Sequence, residues 1–257
     1  MAFKRIIATL LVKDGQVVKS YGYRSWRPAG RLVSALRNLD RWLVDEILIL
    51  DISRRDSVNP DVLRTITESA ISTPLIYGGG IRTESDVSRL LEAGCDRIVL
   101  ETLLLRQPET VHQFADIVGS QALIGCLPLV SDERGIRLWN PEAATARHQE
   151  LPDLIAHCQN LPVSELMVVD SRNEGYFGKA CRSLHTGVIE SSLTKGIIWF
   201  GGLDHKLAAE LLSSPCTVAV AFGNINFEGE LQIPQLRKAI LSGEHNSLRR
   251  TRIGREQ

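Results

Sequence analysis

The chain has 257 residues, of which 44% are hydrophobic, so it is long enough for one large core or two small domains. Its 30 basic and 30 acidic residues cancel, which argues against a surface for nucleic acids or anionic membranes. Five scattered cysteines without a CxxC pair argue against a disulfide framework or zinc site, and no apolar run is long enough to span a bilayer. We therefore expect a cytoplasmic protein with no metal, no other cofactor, no nucleic-acid partner and no membrane segment.

Eight short apolar runs alternate with segments of helical period along the chain. Runs that are apolar almost throughout are typical of strands buried on both faces of a parallel sheet. We predict strands at 5–12, 46–52, 74–78, 97–100, 122–127, 165–170, 197–200 and 218–222. The stretch 127–141, which contains proline and glycine, is interpreted as the connection after the fifth strand.

Residues that favour the first turn of a helix predict helices between these strands. Proline follows Asn59 and Gln107, which places Pro60 and Pro108 in a first helical turn. The segment Thr83-Glu-Ser-Asp is close to a capping box and predicts another helix start. Strand–helix alternation repeated eight times over this length predicts an α/β fold, the TIM (β/α)8 barrel.

A repeated pattern divides the chain into two similar halves. The sequence VDEILILD at 44–51 is similar to VSELMVVD at 163–170, and IYGGGI at 76–81 is similar to WFGGL at 199–203. Two motifs that recur at nearly one offset predict an internal duplication. The barrel is therefore expected to be a two-fold half-barrel repeat with four strand–helix units in each half.

The domain organisation follows from this repeat. We assign a single barrel to residues 1–242, with half-barrels at about 1–120 and 121–242. The remaining residues, 243–257, are polar and rich in arginine, and we expect them to form a loosely ordered tail.

Glycines follow four of the predicted strands, at the end of a TIM barrel where active sites form. They are Gly78, Gly79, Gly80, Gly175, Gly201, Gly202 and Gly223. Glycine lets backbone N–H groups approach a phosphate closely, so one such loop in each half predicts a ligand with two phosphates. The alternative is that these glycines only satisfy tight turns.

Carboxylates end two strands at matching places in the two halves. Asp51 and Asp170 could carry out acid–base chemistry across the barrel mouth, or they could cap loops and orient neighbouring cations. The first and fifth strands differ, because the residues at their ends include Leu11 and Pro128 and no carboxylate. We expect those two strands to contribute nothing to proton transfer.

Charges precede four strands at the opposite end of the barrel. Arg5, Glu46, Arg97 and Glu165 stand just before the apolar runs of the first, second, fourth and sixth strands. Such residues are often solvated at the rim of a barrel. Two cations and two anions could instead form a ring of ion pairs that closes the barrel floor and controls the passage of a small polar molecule.

Several motifs together resemble the cyclase subunit of imidazole glycerol phosphate synthase. They are RIIATLLVKDGQVVK at 5–19, YGGGIR at 77–82, GCDR at 94–97 and GSQA at 119–122. The resemblance covers nearly the whole barrel, to about Phe227, and the isomerase of the same pathway is the nearest rival. It implies a half-barrel duplication that binds a bisphosphorylated nucleotide at its mouth. It also implies a glutaminase partner at the floor, which sends ammonia through the barrel.

The resemblance assigns roles to particular residues. The ligand-binding positions that it implies are Lys19, Gly80, Thr102, Gly175, Gly202 and Gly223. The ammonia gate that it implies is formed by Arg5, Glu46, Arg97 and Glu165, and Asp96 matches an acidic anchor for the glutaminase.

Other positions depart from the family pattern. The two catalytic aspartates of the family fall on Leu11 and Pro128, which can neither accept nor donate a proton. Glu101 replaces an asparagine, and its carboxylate would repel a phosphate, whereas Phe222 replaces a small residue near the second phosphate. The usual cyclisation is therefore expected to fail.

The Leu-Leu pair after the first strand resembles a divergent branch of the family linked to bacterial surface polysaccharides. In that branch a glutaminase and a cyclase-like protein are thought to supply ammonia to an N-acetyl sugar amidotransferase. Two alternatives stay open. The chain could be a working synthase, or a related phosphosugar lyase or isomerase, that uses Asp51, Glu101 or Asp170. It could also be a structural or regulatory scaffold without ammonia traffic.

Overall fold

Parallel pairing joins eight of the twelve strands of the described chain into a closed barrel. The computed structural model describes residues 4–42, 44–140, 143, 145–227, 234, 237 and 238. The strands in chain order are β1 (Arg5–Lys13), β2 (Gln16–Tyr21), β3 (Ser25–Arg31), β4 (Glu46–Asp51), β5 (Leu75–Gly78), β6 (Arg97–Leu100), β7 (Leu123–Asp132), β8 (Gly135–Asn140), β9 (Thr145–Glu150), β10 (Glu165–Asp170), β11 (Gly196–Phe200) and β12 (Thr217–Phe222). The barrel order is β1, β4, β5, β6, β7, β10, β11 and β12, and β12 pairs with β1.

Helices connect the barrel strands and cover the outside of the barrel. They are α1 (Leu32–Arg41), α2 (Pro60–Ser69), α3 (Glu84–Glu92), α4 (Thr102–Arg106), α5 (Pro108–Val118), α6 (Leu151–Gln159), α7 (Arg182–Ile189) and α8 (His205–Ser213). The predicted TIM (β/α)8 barrel is confirmed. The predicted tail, 243–257, lies outside the described residues.

Each barrel strand contributes side chains to two separate hydrophobic clusters. This is why the sequence segments of these strands are apolar almost throughout. Ile7 and Leu11 of β1 point into the barrel with Leu48 and Met167, and these residues belong to an inner cluster that fills the bore. Ile6 of β1 points the other way, into a larger cluster between the strands and the helices. Both faces of a strand in this barrel are therefore buried.

Local capping fixes the starts of the helices. The Asn59 side chain accepts a hydrogen bond from Asp61 N at 3.0 Å, and Pro60 opens α2. Thr83 and Asp86 form a capping box at the start of α3, with hydrogen bonds in both directions. The helix starts predicted at these positions and at Pro108 are confirmed.

The interpretation of 127–141 as a connection is wrong. Strand β7 continues to Asp132, and β8 and β9 follow it as an antiparallel extension. A second extension follows β1, where β2 and β3 pair antiparallel to it and to each other. Strand β7 extends beyond the predicted end at residue 127, because Leu129 and Val130 are buried like the residues before them. The two extensions, one from each half, stand at the same mouth of the barrel.

The two halves also repeat each other in backbone packing. A Cβ atom on Gly79 would lie 2.1 Å from the carbonyl oxygen of Asp51, and one on Gly201 would lie 2.5 Å from that of Asp170. Both glycines have φ near +100°, at 109° and 102°. The same backbone crossing thus occurs once in each half and supports the predicted repeat.

Candidate functional site

A ring of four ion-paired side chains closes the amino-terminal end of the barrel. Arg5 Nη2 lies 2.7 Å from Glu165 Oε1, and Arg97 Nη2 lies 2.8 Å from Glu165 Oε2. Glu46 Oε1 completes the ring, at 3.1 Å from Arg5 Nη1 and 3.7 Å from Arg97 Nη1. Strands β1 and β10 are not neighbours in the sheet, so the Arg5–Glu165 pair must cross the bore. The four side chains, which we call the floor ring, therefore form a polar floor beneath the barrel.

The side chains of the floor ring are largely buried, and two of their polar atoms make no hydrogen bond among the described residues. Its side chains are only 10–19% exposed. Burial alone would lower the pKa of Arg5, but the carboxylates of Glu46 and Glu165 outweigh it and raise the pKa. Burial also raises the pKa of Glu46, although Arg5 and Arg97 act against this. Glu46 Oε2 and Arg97 Nη1 are buried without a hydrogen-bond partner among the described residues.

Above the floor ring the bore is lined mainly by apolar side chains. Strand β1 directs Ile7, Thr9 and Leu11 inward, since alternate residues of a strand share a face. Thr9 is completely buried, and its Oγ1 has no hydrogen-bond partner among the described residues. A buried hydroxyl without a partner costs about 1–3 kcal/mol, which a passing hydrogen-bonding molecule would relieve.

Leu11 and Pro128, the positions on which the resemblance places catalytic aspartates, lie at the top of this apolar column. Leu11 is 1% exposed and packs in the inner cluster, with its Cδ1 3.6 Å from where a Cβ on Gly223 would lie. Pro128 is buried and pairs with Val169 across β7 and β10. Neither side chain can transfer a proton.

Local hydrogen bonds hold the two candidate carboxylates. Asp51 Oδ1 accepts hydrogen bonds from Ser53 N, at 2.9 Å, and from the Ser53 hydroxyl. Asp170 is 1% exposed and accepts from Asn173 Nδ2 at 2.9 Å and from Cys181 N at 2.6 Å. Burial raises the pKa of the Asp170 carboxyl, although these hydrogen bonds lower it in part. Asp170 orders the loop after β10, whereas Asp51 faces a cavity.

That cavity lies at the mouth of the barrel and has a volume of about 510 Å³. Asp51, Gly80 and Thr102 line it together, so three of the predicted site residues meet there. Its described lining also holds five arginines against three carboxylates, Asp51, Asp56 and Glu101. The arginines are Arg54, Arg55, Arg82, Arg106 and Arg147. The cavity is therefore a net cationic site of the size that small ligands occupy.

The glycines that the sequence predicted in the second half, Gly175 and Gly202, lie against neighbouring backbone. A Cβ on Gly175 would lie 1.9 Å from the carbonyl oxygen of Ser20, and Asn224 Nδ2 donates to that same oxygen at 2.7 Å. Ser20 Oγ in turn donates to Glu174 Oε2 at 2.9 Å. Gly202 packs equally closely, with its Cβ position 2.7 Å from Ala180 N. These glycines accommodate neighbouring backbone rather than the cavity.

The remaining predicted ligand residues are also outside the cavity lining. Lys19 is half-buried on β2 opposite Arg27 of β3, and a Cβ on Gly223 would touch the Phe200 ring at 3.4 Å. Phe222 is buried in the outer cluster between strands and helices. The structure thus brings Gly80 and Thr102 together at the cavity and places the other predicted ligand residues elsewhere, namely Lys19, Gly175, Gly202 and Gly223.

Tyr23 closes the inner end of the cavity, and nothing in the sequence pattern indicated it. Its φ of 57° is unusual for a bulky residue, and Glu174 Oε2 holds this conformation by accepting from Tyr23 N at 3.1 Å. The ring packs against the inner cluster at the top of the bore. Burial raises the pKa of Tyr23, and the nearby Glu174, Cys126 and Glu101 raise it further.

The buried carboxyl group of Glu174, which holds Tyr23 in place, should make the stability of the protein depend on pH. It is fully buried, and burial raises its pKa despite the hydrogen bonds from Ser20 and Tyr23. A raised folded-state pKa means that the protonated form favours folding and that stability is lost as pH rises through the raised value. Glu174→Gln keeps an acceptor oxygen and removes the charge. We therefore expect the variant to be more stable than wild type by about 1 kcal/mol at pH 7 and equally stable near pH 4.

Urea unfolding at both pH values measures this difference. Glu190→Gln is the control, because Glu190 is an exposed glutamate that follows α7. A stability gain that is as large near pH 4 as at pH 7 would show that the buried charge is not its cause.

Two classes of site are not found among the described residues. No group of three or more His, Cys, Asp or Glu side chains lies close enough to hold a metal ion. In the same part of the chain, no helix combines the length and apolar character needed to cross a membrane. Asp96, the predicted partner contact, is exposed beside the floor ring and accepts from Leu75 N at 2.8 Å.

Comparison with known proteins relates this geometry to one family. The family described as "Histidine biosynthesis protein" matches residues 5–232. Two relatives named "Imidazole glycerol phosphate synthase subunit HisF" align along nearly the whole chain. The one from Campylobacter concisus is 30% identical over 243 residues, which are 91% of this chain and 94% of that protein. The one from Bacteroides thetaiotaomicron is 29% identical over 255 residues, which are 97% of this chain and 100% of that protein.

Proposed function

The chain belongs to the histidine biosynthesis protein family and is HisF-like, and from this premise we propose that it conducts ammonia without performing the cyclase reaction. A glutaminase would dock at the barrel floor and release ammonia into the bore. The ammonia would leave at the mouth for a separate N-acetyl sugar amidotransferase of surface polysaccharide synthesis. All three proteins would act in the cytoplasm, where glutamine is available.

The floor ring is the observation that carries this proposal. Its ion pairs span the amino-terminal end of the bore, and such buried pairs add little net stability by themselves. The unpartnered atoms Glu46 Oε2 and Arg97 Nη1 can bind an incoming ammonia molecule, which both donates and accepts hydrogen bonds. Thr9 Oγ1 offers one further polar contact inside the bore.

The mouth supports the loss of cyclase chemistry. Leu11 and Pro128 leave no acid or base where the family needs its two aspartates. Asp170 is buried in its own loop, where it accepts hydrogen bonds from Asn173 and Cys181.

A working cyclase is the second candidate, because relatives with that subunit name align along almost the whole chain. Asp51 and Glu101 are the side chains that such an enzyme could use, since both line the cavity and Asp170 is not among its lining residues. Turnover that is abolished by Asp51→Asn would support this reading. A scaffold without ammonia traffic would bind the glutaminase without requiring the floor ring.

Glutamine hydrolysis by a HisH-like glutaminase, measured with and without this chain, tests the proposal. We expect the chain to accelerate hydrolysis on the order of tenfold, as is common for coupled sites. Asp96→Lys should abolish the acceleration, because Asp96 is exposed beside the floor ring. Asp116→Lys, on the exposed side of α5, is the matched control and should behave like the wild type. No acceleration, or equal loss in both variants, would contradict a glutaminase at the floor.

A further inference from the structure

We propose that aromatic and cationic side chains beside the barrel mouth form a docking surface for an acidic face of the enzyme that takes up the ammonia. This inference rests on the proposed function and deepens it, because it states which surface holds the partner at the mouth. The surface, which we call the rim patch, consists of exposed side chains from β3, from the turn before it and from the loop after β10. They are Arg24, Trp26, Arg27, Tyr176, Phe177 and Lys179.

The rim patch contains three exposed aromatic side chains. Trp26 is 45% exposed, Tyr176 is 46% exposed and Phe177 is 47% exposed. The other large hydrophobic side chains that are exposed in the described part of the chain are aliphatic and lie on α3, α5 and α7. Aromatic and arginine side chains are enriched in protein–protein interfaces and supply many of their strongest contacts. The composition of the rim patch is therefore typical of a protein interface.

The two segments that carry the rim patch are fixed to each other. Gly22 N, in the turn between β2 and β3, donates to the carbonyl oxygen of Glu174 at 2.9 Å. The Tyr21 ring packs on the Tyr176 ring, with 5.2 Å between the ring centroids. A surface whose parts are already held in place loses little conformational entropy when a partner binds. The aromatic side chains are thus presented on a preorganised backbone.

Positive charge indicates the chemistry of the partner. Arg24, Arg27 and Lys179 are exposed, and no carboxylate among the described residues forms an ion pair with any of them. Asp204 lies beside the loop after β10, but its side chain caps α8. The three cations therefore outnumber it, although the whole chain has no formal net charge. Complementary charge favours a partner with an acidic face.

The position of the rim patch indicates which partner covers it. Tyr23, the residue before Arg24, lines the mouth cavity and packs on the inner cluster at the top of the bore. The rim patch therefore adjoins the exit of the bore. Ammonia that reaches water at neutral pH is protonated to ammonium, which is not a nucleophile, so the acceptor enzyme has to cover this exit. A second copy of this chain would place two cationic patches together in a two-fold dimer, which their charges oppose.

Binding of a purified N-acetyl sugar amidotransferase to the isolated chain, measured by biolayer interferometry, tests the rim patch. We expect binding that weakens with added salt. Tyr176→Ala, Phe177→Ala and Arg27→Glu should each weaken it about tenfold or more, because each removes a central contact of the interface. The three side chains are exposed, so their replacement leaves the core of the barrel intact.

Two exposed positions away from the mouth provide matched controls. Ile117→Ala is the control for Phe177→Ala, because Ile117 is 44% exposed near the end of α5. Arg41→Glu is the control for Arg27→Glu, because Arg41 is exposed at the end of α1. Helices of a βα barrel end on the floor side, so both controls should bind like the wild type.

Four outcomes would overturn the proposal. The first is no binding by the wild type, and the second is a loss in the rim variants no larger than in the controls. The third is competition by a single-stranded deoxythymidine oligonucleotide, which would assign the patch to nucleic acid. The fourth is a dimer in sedimentation that Phe177→Ala dissociates, which would assign it to a second copy.

Glutamine hydrolysis with the glutaminase present separates this proposal from the proposed function. The rim variants should accelerate hydrolysis like the wild type, because the rim patch and the floor ring lie at opposite ends of the barrel. Acceleration without binding of the amidotransferase would overturn the rim patch and leave a glutaminase at the floor. Binding without acceleration would support the rim patch and contradict a glutaminase at the floor.

Discussion

Glu165→Ala is expected to lower the free energy of unfolding by about 3 kcal/mol, because it leaves two buried guanidinium groups facing a single carboxylate. Glu165 contacts Arg5 at 2.7 Å and Arg97 at 2.8 Å, and its side chain is 16% exposed. Its removal therefore breaks two ion pairs of the floor ring. Urea denaturation at neutral pH measures the loss.

Glu210→Ala is the matched control for this experiment. Glu210 pairs with Arg182 at a similar distance, 2.8 Å, but the two side chains are 56% and 58% exposed. Water replaces an exposed partner readily, so this variant should unfold like the wild type. If both variants lose the same stability, the floor ring is not a buried network.

Replacing the whole floor ring separates stability from function. The combination Arg5→Met, Glu46→Leu, Arg97→Met and Glu165→Leu should restore stability to within about 1 kcal/mol of the wild type, because apolar packing substitutes well for buried ion pairs. A combined variant as unstable as Glu165→Ala would indicate that the ring supports the barrel. Recovery would indicate that the barrel does not need the ring for its stability.

Leu11→Asp is expected to lower the free energy of unfolding by about 4 kcal/mol at neutral pH without creating cyclase activity. Leu11 is 1% exposed within the inner cluster, so a carboxylate there would be buried in apolar surroundings. Burial disfavours the charged form, so the loss should shrink as the solution is acidified and the carboxyl group becomes protonated.

Leu11→Asn isolates the effect of charge at this position. Asparagine has the size of aspartate, lacks its charge and should lose less stability, with no recovery in acid. Urea denaturation at neutral and acidic pH, together with a cyclase assay, measures both variants. If Leu11→Asp is as stable as Leu11→Asn and forms imidazole product, the mouth retains the geometry of a cyclase.

Much of the fold could be predicted from sequence because burial on both faces leaves a clear pattern. Strands β6 and β10 have the predicted bounds, since a charged residue opens each apolar run at the floor. Strand β3 leaves no such pattern, because nearly all of its residues are exposed. Strand β9 is largely exposed as well, so the two extensions at the mouth could not be recognised.

The floor ring and the mouth differ in how far sequence predicts them. The floor ring follows from charges that directly precede strands, since the closure of a barrel brings those positions together. The cavity depends on Arg147, which stands on the unpredicted β9, and on Tyr23, whose unusual backbone angle no periodicity indicates. The close approach of Gly175 to the backbone of Ser20 is a contact that only the folded chain creates.

Glutamine labelled with ¹⁵N at its amide tests the central claim most directly. The complex of this chain with its glutaminase is supplied with the labelled glutamine and the bisphosphorylated nucleotide, and the products are followed by NMR. We predict that the label appears only as free ammonium, because Leu11 and Pro128 cannot support cyclisation. Label in the ring of imidazole glycerol phosphate would contradict the account.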